Sequence, residues 1–180
     1  VDTSQIGIKA GAKTGSVLCL CDKLGRRSLY VVPGANNLLS MEDLDLTYIS
    51  QARMLHLSSF TDDKQFQVVL ELMDRLSTKL SFAPGSIYAQ KGLKALTPIL
   101  NKTHVLFINH YEIQQLTGED ITTGAESCLK QGCTPFGFYA RRGSTRPRLI
   151  RISRCSGRYY RRWRVKRWSR LMRRLQASKW

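Results

Sequence analysis

Three features of the sequence predict an α/β fold built on a mostly parallel sheet with helices on both faces. From Met54 onward, short apolar runs alternate with helical periods at close spacing, the pattern of strands joined by crossover helices. Residues 105–108 are apolar throughout, as in a strand covered on both sides. That run gives way at Asn109 to a short helical pattern, with Ile113 and Leu116 apolar and Gly118 at the stop. Right-handed crossovers bring the loops after such strands to one sheet edge, where open α/β folds bind ligands.

Taken in order, residues 16–22 and 28–32 read as two strands joined by the turn at Asp22, Lys23, Leu24, Gly25 and Arg26, which makes a hairpin over 16–32. Pro33, Gly34, Ala35, Asn36 and Asn37 break the pattern, and a short helix is expected over 40–45. Residues 54–57 form the next strand. Ser59 or Thr61 can cap the following helix, with Asp62 and Asp63 near its positive end. Phe66, Val69, Leu70 and Met73 then fall on one helical stripe. Residues 80–82 are a strand ending at Ala83, Pro84 and Gly85, and one helix is expected over 86–100. After the strand at 105–108, Thr122 or Thr123 caps a last helix through Ala125, Cys128 and Leu129, closed by Gly132. Another strand is due after Gly132, but residues 134–148 show no sustained period.

The formal charge of +16 suggests a polyanionic partner until its distribution is read. Residues 1–140 carry 13 basic and 13 acidic side chains, whereas 141–180 carry 16 basic and none acidic. The charge belongs to the tail. Cys19, Cys21, Cys128, Cys133 and Cys155 lack paired zinc-site spacing. Cys19 and Cys21 alternate on a strand, so they share a face and read as small core residues. An odd cysteine count without a leader points to the cytoplasm. No apolar run reaches membrane-spanning length. The start at Val1, Asp2 and Thr3, without an initiator Met, points to a missing upstream part. His56, His104 and His110 are not at metal-ligand spacing, no nucleophile-elbow motif occurs, and Gly11, Gly15 and Gly25 read as turns.

Asn109 and Glu112 stand where the buried strand passes into a helix. Judged alone, an N-cap Asn with Glu three residues later is a capping box. Its position at the ligand-binding edge gives the pair a second reading.

Six stretches decide between the two readings. The chain carries Val1-Asp2-Thr3-Ser4, Thr14-Gly15, Gly25-Arg26-Arg27-Ser28 followed by Pro33-Gly34-Ala35-Asn36-Asn37, His56-Leu57-Ser58-Ser59-Phe60, Ser81-Phe82-Ala83-Pro84-Gly85, and Asn109-His110-Tyr111-Glu112 with Leu116-Thr117-Gly118. In this order they resemble the PfkB, or ribokinase-like, carbohydrate and nucleoside kinases over residues 1–133. The resemblance implies a three-layer αβα ribokinase-like sheet, here incomplete, and transfer of the ATP γ-phosphoryl to a sugar or nucleoside hydroxyl. It implies that Asn109 and Glu112 organise magnesium and the ATP phosphates, Glu112 acting on the metal through water. Gly34, Ala35, Asn36 and Ser58 would line the sugar pocket, and the hairpin over 16–32 would serve as a lid through which a homodimer could form. Ala83 stands where many relatives have Asp or Asn. Relatives also carry an upstream Gly-Gly motif, and near their C-terminus Asp-Thr-x-Gly-Ala-Gly-Asp, whose last Asp is the base and whose glycines form the anion hole. Neither stretch is spelled here, so no catalytic residue is assigned and little activity is expected.

The sequence thus divides into a partial kinase domain over 1–133, with its hairpin at 16–32 and βα repeats over 54–132, and an Arg-rich tail over 134–180. A reading-frame shift near Cys133 would account for the tail. Read one base later, codons for Arg158, Tyr159, Tyr160, Arg161, Arg162 and Trp163 are compatible with Asp-Thr-Thr-Gly-Ala-Gly. Those for Tyr139, Ala140 and Arg141 are compatible with Thr-Leu-Gly, which relatives carry on the strand expected there. Taken at face value, the tail is expected to be disordered or a basic amphipathic helix, with Trp168, Leu171, Met172 and Leu175 on one face. Binding to nucleic acid or an anionic membrane is the alternative role, but Arg runs alone carry no base readout.

Overall fold

The structure, a computed structural model, describes residues 2–132, 138–140, 148–155 and 158–163. They form two units, one of the residues up to 55 with 59–78, the other of 56–58 with the described residues from 79 onward.

In the first unit β1 (Ser16–Cys21) and β2 (Arg27–Val32) pair antiparallel, from Ser16 opposite Val32 to Cys21 opposite Arg27. Asp22 makes the turn: its carboxylate accepts from the Leu24 and Arg26 amides at 2.9 Å and from Arg26 Nε at 2.6 Å. The Arg26 contact holds that carboxyl below the ordinary range. Gly25 supplies the positive φ, +75°, that closes the turn. The expectation that Cys19 and Cys21 lie in the core is corrected. They share a face, but both are exposed, as are Leu18, Leu20, Tyr30 and Val32 on the other face. Period 2 says which side chains share a face, not whether anything covers it.

Beyond Pro33 the chain makes two short 3-10 segments, Gly34–Leu38 and Met41–Asp43, and then α1 (Leu46–Gln51), capped by Asp45. The helix expected over 40–45 is therefore a single 3-10 turn, and the α-helix lies just beyond it. Asp43 reaches back to the Ser40 amide at 2.8 Å and pairs with Lys9 Nζ at 2.6 Å; these contacts, the Lys9 bond foremost, lower its pKa to about 2. In α2 (Asp63–Arg75), capped by Asp62, the buried stripe is Gln65, Phe66, Val69, Leu72 and Met73, close to the one expected. Gln65 Nε2 donates to the carbonyls of Asn37 and Leu39, which ties α2 to the first 3-10 segment.

The second unit is a six-stranded sheet in the order β3-β4-β5-β6-β7-β8, with β3 at Leu55–Ser58, β4 at Leu80–Ala83 and β5 at Thr103–Phe107. β4, β5 and β6 (Phe138–Ala140) are parallel; β7 (Arg148–Cys155) and β8 (Arg158–Trp163) follow antiparallel. The strand due after Gly132 thus forms as β6. The described residues of the Arg-rich segment pair as strands, β6 onto β5, β7 onto β6 and β8 onto β7. Residues 167–175, on which the helical reading rested, lie outside the described residues.

The helix expected over 86–100 is two, α3 (Gly85–Ala89) and α4 (Gly92–Lys102), separated where Gly92 takes φ +80°. α5 (His110–Thr117) and α6 (Ile121–Lys130) follow β5. Their close approach requires Gly124, where a Cβ would overlap Ile113 Cγ2 and crowd Thr117 Oγ1. Leu80, Phe82, Tyr88, Leu96, Ile99, Leu100 and Ile113 are fully buried and make the core of this unit. Among the described residues no helix is long and apolar enough to cross a membrane.

Candidate active site at the carboxyl end of β5

Because β4 and β5 are parallel, their carboxyl ends meet at one sheet edge. β4 leads through Ala83 into Pro84 and α3, and β5 leads through Ile108 into Asn109 and α5. Ile108 and Ile113 are buried on either side of the turn, so the polar residues between them are held by core packing.

Asn109 is the N-cap, with extended backbone at φ −93° and ψ 172°. Its Oδ1 accepts from the Glu112 amide at 2.9 Å, and its own amide donates to Glu112 Oε2 at 3.0 Å. A third bond runs from Asn109 Nδ2 to Glu112 Oε1 at 2.6 Å. The capping box is real. Both carboxylate oxygens have a partner, yet each keeps a lone pair, and the half-buried carboxylate sits at the positive end of a helix. Such oxygens suit a hard cation, and acceptance from its bound water leaves all three capping bonds intact. The residues therefore fit an outer-shell contact to magnesium better than direct ligation, which would compete with Asn109 for Glu112. Among the described residues no cluster of three His, Cys, Asp or Glu side chains could hold a metal directly.

Of the other expected site residues, Ser58 ends β3 in the same unit as the pair. Gly34, Ala35 and Asn36 open the 3-10 segment of the first unit. Gly34 takes φ +54°, a Cβ there would overlap the Lys13 carbonyl oxygen, and the Ala35 amide donates to that carbonyl at 2.8 Å. A Cβ on Gly15 would in turn meet the Pro33 carbonyl oxygen at 2.6 Å. Gly15 is thus needed for close approach, which reading it as a turn residue misses; its signal was its place beside Lys13 and Thr14, the backbone on which Gly34 closes. Sequence reasoning also missed the ring pair at the first turn of α5, His110 on Tyr111 with centroids 3.8 Å apart. The only signal was two adjacent aromatic-type residues inside the Asn-x-x-Glu motif. His56 is held against β4 and β5: Nδ1 lies 3.0 Å from Ser81 Oγ, and the ring stands edge-on to Phe107.

Three comparisons bear on this arrangement. The family model for pfkB family carbohydrate kinases matches residues 1–134. An uncharacterized sugar kinase of Archaeoglobus fulgidus is 30% identical over 132 residues, which take in 69% of this chain and 51% of that protein. Ribokinase from Thermotoga maritima superposes with a TM-score of 0.63 at 21% identity, over 88% of this chain and 51% of its own. Fructokinase from Xylella fastidiosa with bound ATP gives 0.62 at 21% identity, over 88% and 52%. The chain spans about half the length of these relatives. The structural likeness establishes the ribokinase-like fold, and the sequence match over 1–134 establishes the lineage: the chain belongs to the pfkB family of carbohydrate kinases.

Proposed function

We propose that this chain is the central part of an ATP-dependent kinase that phosphorylates a sugar hydroxyl, a nucleoside being the other acceptor the family resemblance allows. The observation that carries this reading is the closed Asn109–Glu112 pair at the carboxyl edge of the parallel strands. Magnesium bound to ATP would neutralise charge on the β- and γ-phosphates. Glu112 would accept hydrogen bonds from water on that ion, with Asn109 holding the carboxylate through its three bonds. The family resemblance assigns sugar contacts to Gly34, Ala35 and Asn36 and, separately, to Ser58. A second copy docks on the hairpin through the face of Leu18, Leu20, Tyr30 and Val32, whose exposure is unusual for four neighbouring apolar side chains.

The family's proton-accepting Asp and glycine anion hole are not spelled in residues 134–180. We therefore expect this chain to bind nucleotide with little turnover. Calorimetric titration with ATP and magnesium tests this. Glu112→Gln should weaken magnesium-dependent binding by about tenfold, the lower end for a metal's supporting groups. Binding by the Arg-rich tail behaves differently: it survives Glu112→Gln and chelation of magnesium, and weakens steeply with salt. That outcome would replace the kinase-site reading with polyanion binding.

A further inference from the structure

We infer that Cys19 and Cys21 form a two-thiolate clamp for a thiophilic divalent cation of the zinc and cadmium class. The two side chains point to the same face of β1, and their sulfurs stand 3.5 Å apart. Two metal–sulfur bonds of about 2.3 Å at a tetrahedral angle span about 3.8 Å between sulfurs, so the pair is already set close to the bite of one metal ion. A disulfide fits less well. Residues i and i+2 on an extended strand have Cα atoms about 6.6 Å apart, near the upper limit for an S–S bond, so closing it would compress β1.

Both thiols are exposed, which gives a hydrated ion access. Their neighbours on this face are Val17, Leu29 and Val31, with Arg27 opposite Cys21 in the register. None supplies a further ligand for a soft cation. Among the described residues no third His, Cys, Asp or Glu completes a cluster, so the remaining coordination positions fall to water. Binding releases one proton for each thiol that enters as thiolate, and no oxidant or reductant takes part. Cys128 stays out of this chemistry: it is buried, and desolvation, with the Glu119 charge as the lesser cause, pushes its thiol up to about 12.

The clamp is tested on the full chain carrying Cys133→Ser and Cys155→Ser, titrated with cadmium and followed by thiolate-to-metal charge-transfer absorption. One cadmium per chain is expected. Adding either Cys19→Ser or Cys21→Ser should weaken binding by about a hundredfold, the lower end of the gain from linking two contacts. Both positions are exposed, so circular dichroism should show the single variants folded like the parent. No cadmium uptake, uptake unchanged in either variant, or one cadmium per two chains with dimerisation would each overturn the intrachain clamp.

Discussion

The first turn of α5 and the β1–β2 hairpin handle exposed chemistry in opposite ways. At the start of α5 the Asn109 and Glu112 side chains close on each other, and Ile108 and Ile113 seat them on the core. On the hairpin, apolar side chains occupy both faces, and Leu18 and Tyr30 keep 60% and 58% of their surface in contact with solvent. A two-stranded ribbon is marginal by itself. The corner is satisfied within its own unit, whereas the hairpin's apolar side chains face solvent. This difference fits the roles proposed for them, a fixed phosphate-side contact and a lid that docks.

The contrast is sharpest in core substitutions. Phe82→Ala, beneath the site edge, should cost about 3–5 kcal/mol because the ring is wholly buried, whereas Leu18→Ala should stay within about 0.5 kcal/mol. Urea midpoints compare the two; equal losses would show that the hairpin is as well packed as the core. Gly34→Ala comes next, with a loss of more than about 1 kcal/mol, since the new Cβ has both a positive φ and the Lys13 carbonyl to contend with. Asn109→Ala should cost about 1 kcal/mol through the lost cap, and more than that in nucleotide affinity. A variant that loses the cap but binds ATP and magnesium as tightly as before would leave the pair with its structural role alone.

The smallest effect is a pH dependence. Asp43 falls from 3.8 to about 2 on folding, chiefly through its bond to Lys9. A depressed carboxylate stabilises the fold above its unfolded pKa, and the contribution is lost as pH falls through the folded one, here between about 4 and 2. Urea midpoints should therefore drop across that window, and Asp43→Asn should flatten the drop. A wild-type and variant that fall in parallel would remove Asp43 as the cause.

Much of this was legible in the sequence because local chemistry wrote it. The Asn109–Glu112 box, the Asp22 turn and the stripe of α2 follow from caps, turns and period. The break between α3 and α4 was not, since Ala89, Leu93 and Leu96 keep an apolar period across Gly92. β7 and β8 were not, because pairing onto β6 and then β7 decides them. The exposure of Cys19 and Cys21 was not, because it depends on what covers the ribbon. The site was legible as a motif with its two capping bonds; the third bond, from Asn109 Nδ2 to Glu112 Oε1, required coordinates.

The central claim is that the first turn of α5 meets ATP through magnesium. Hydrogen exchange of the amides of residues 109–113 tests it at the site itself. With ATP and magnesium, exchange there should slow relative to ATP with a chelator, and Glu112→Gln should abolish the difference. Unchanged exchange at 109–113, with protection only in the Arg-rich segment beyond residue 140, would contradict it.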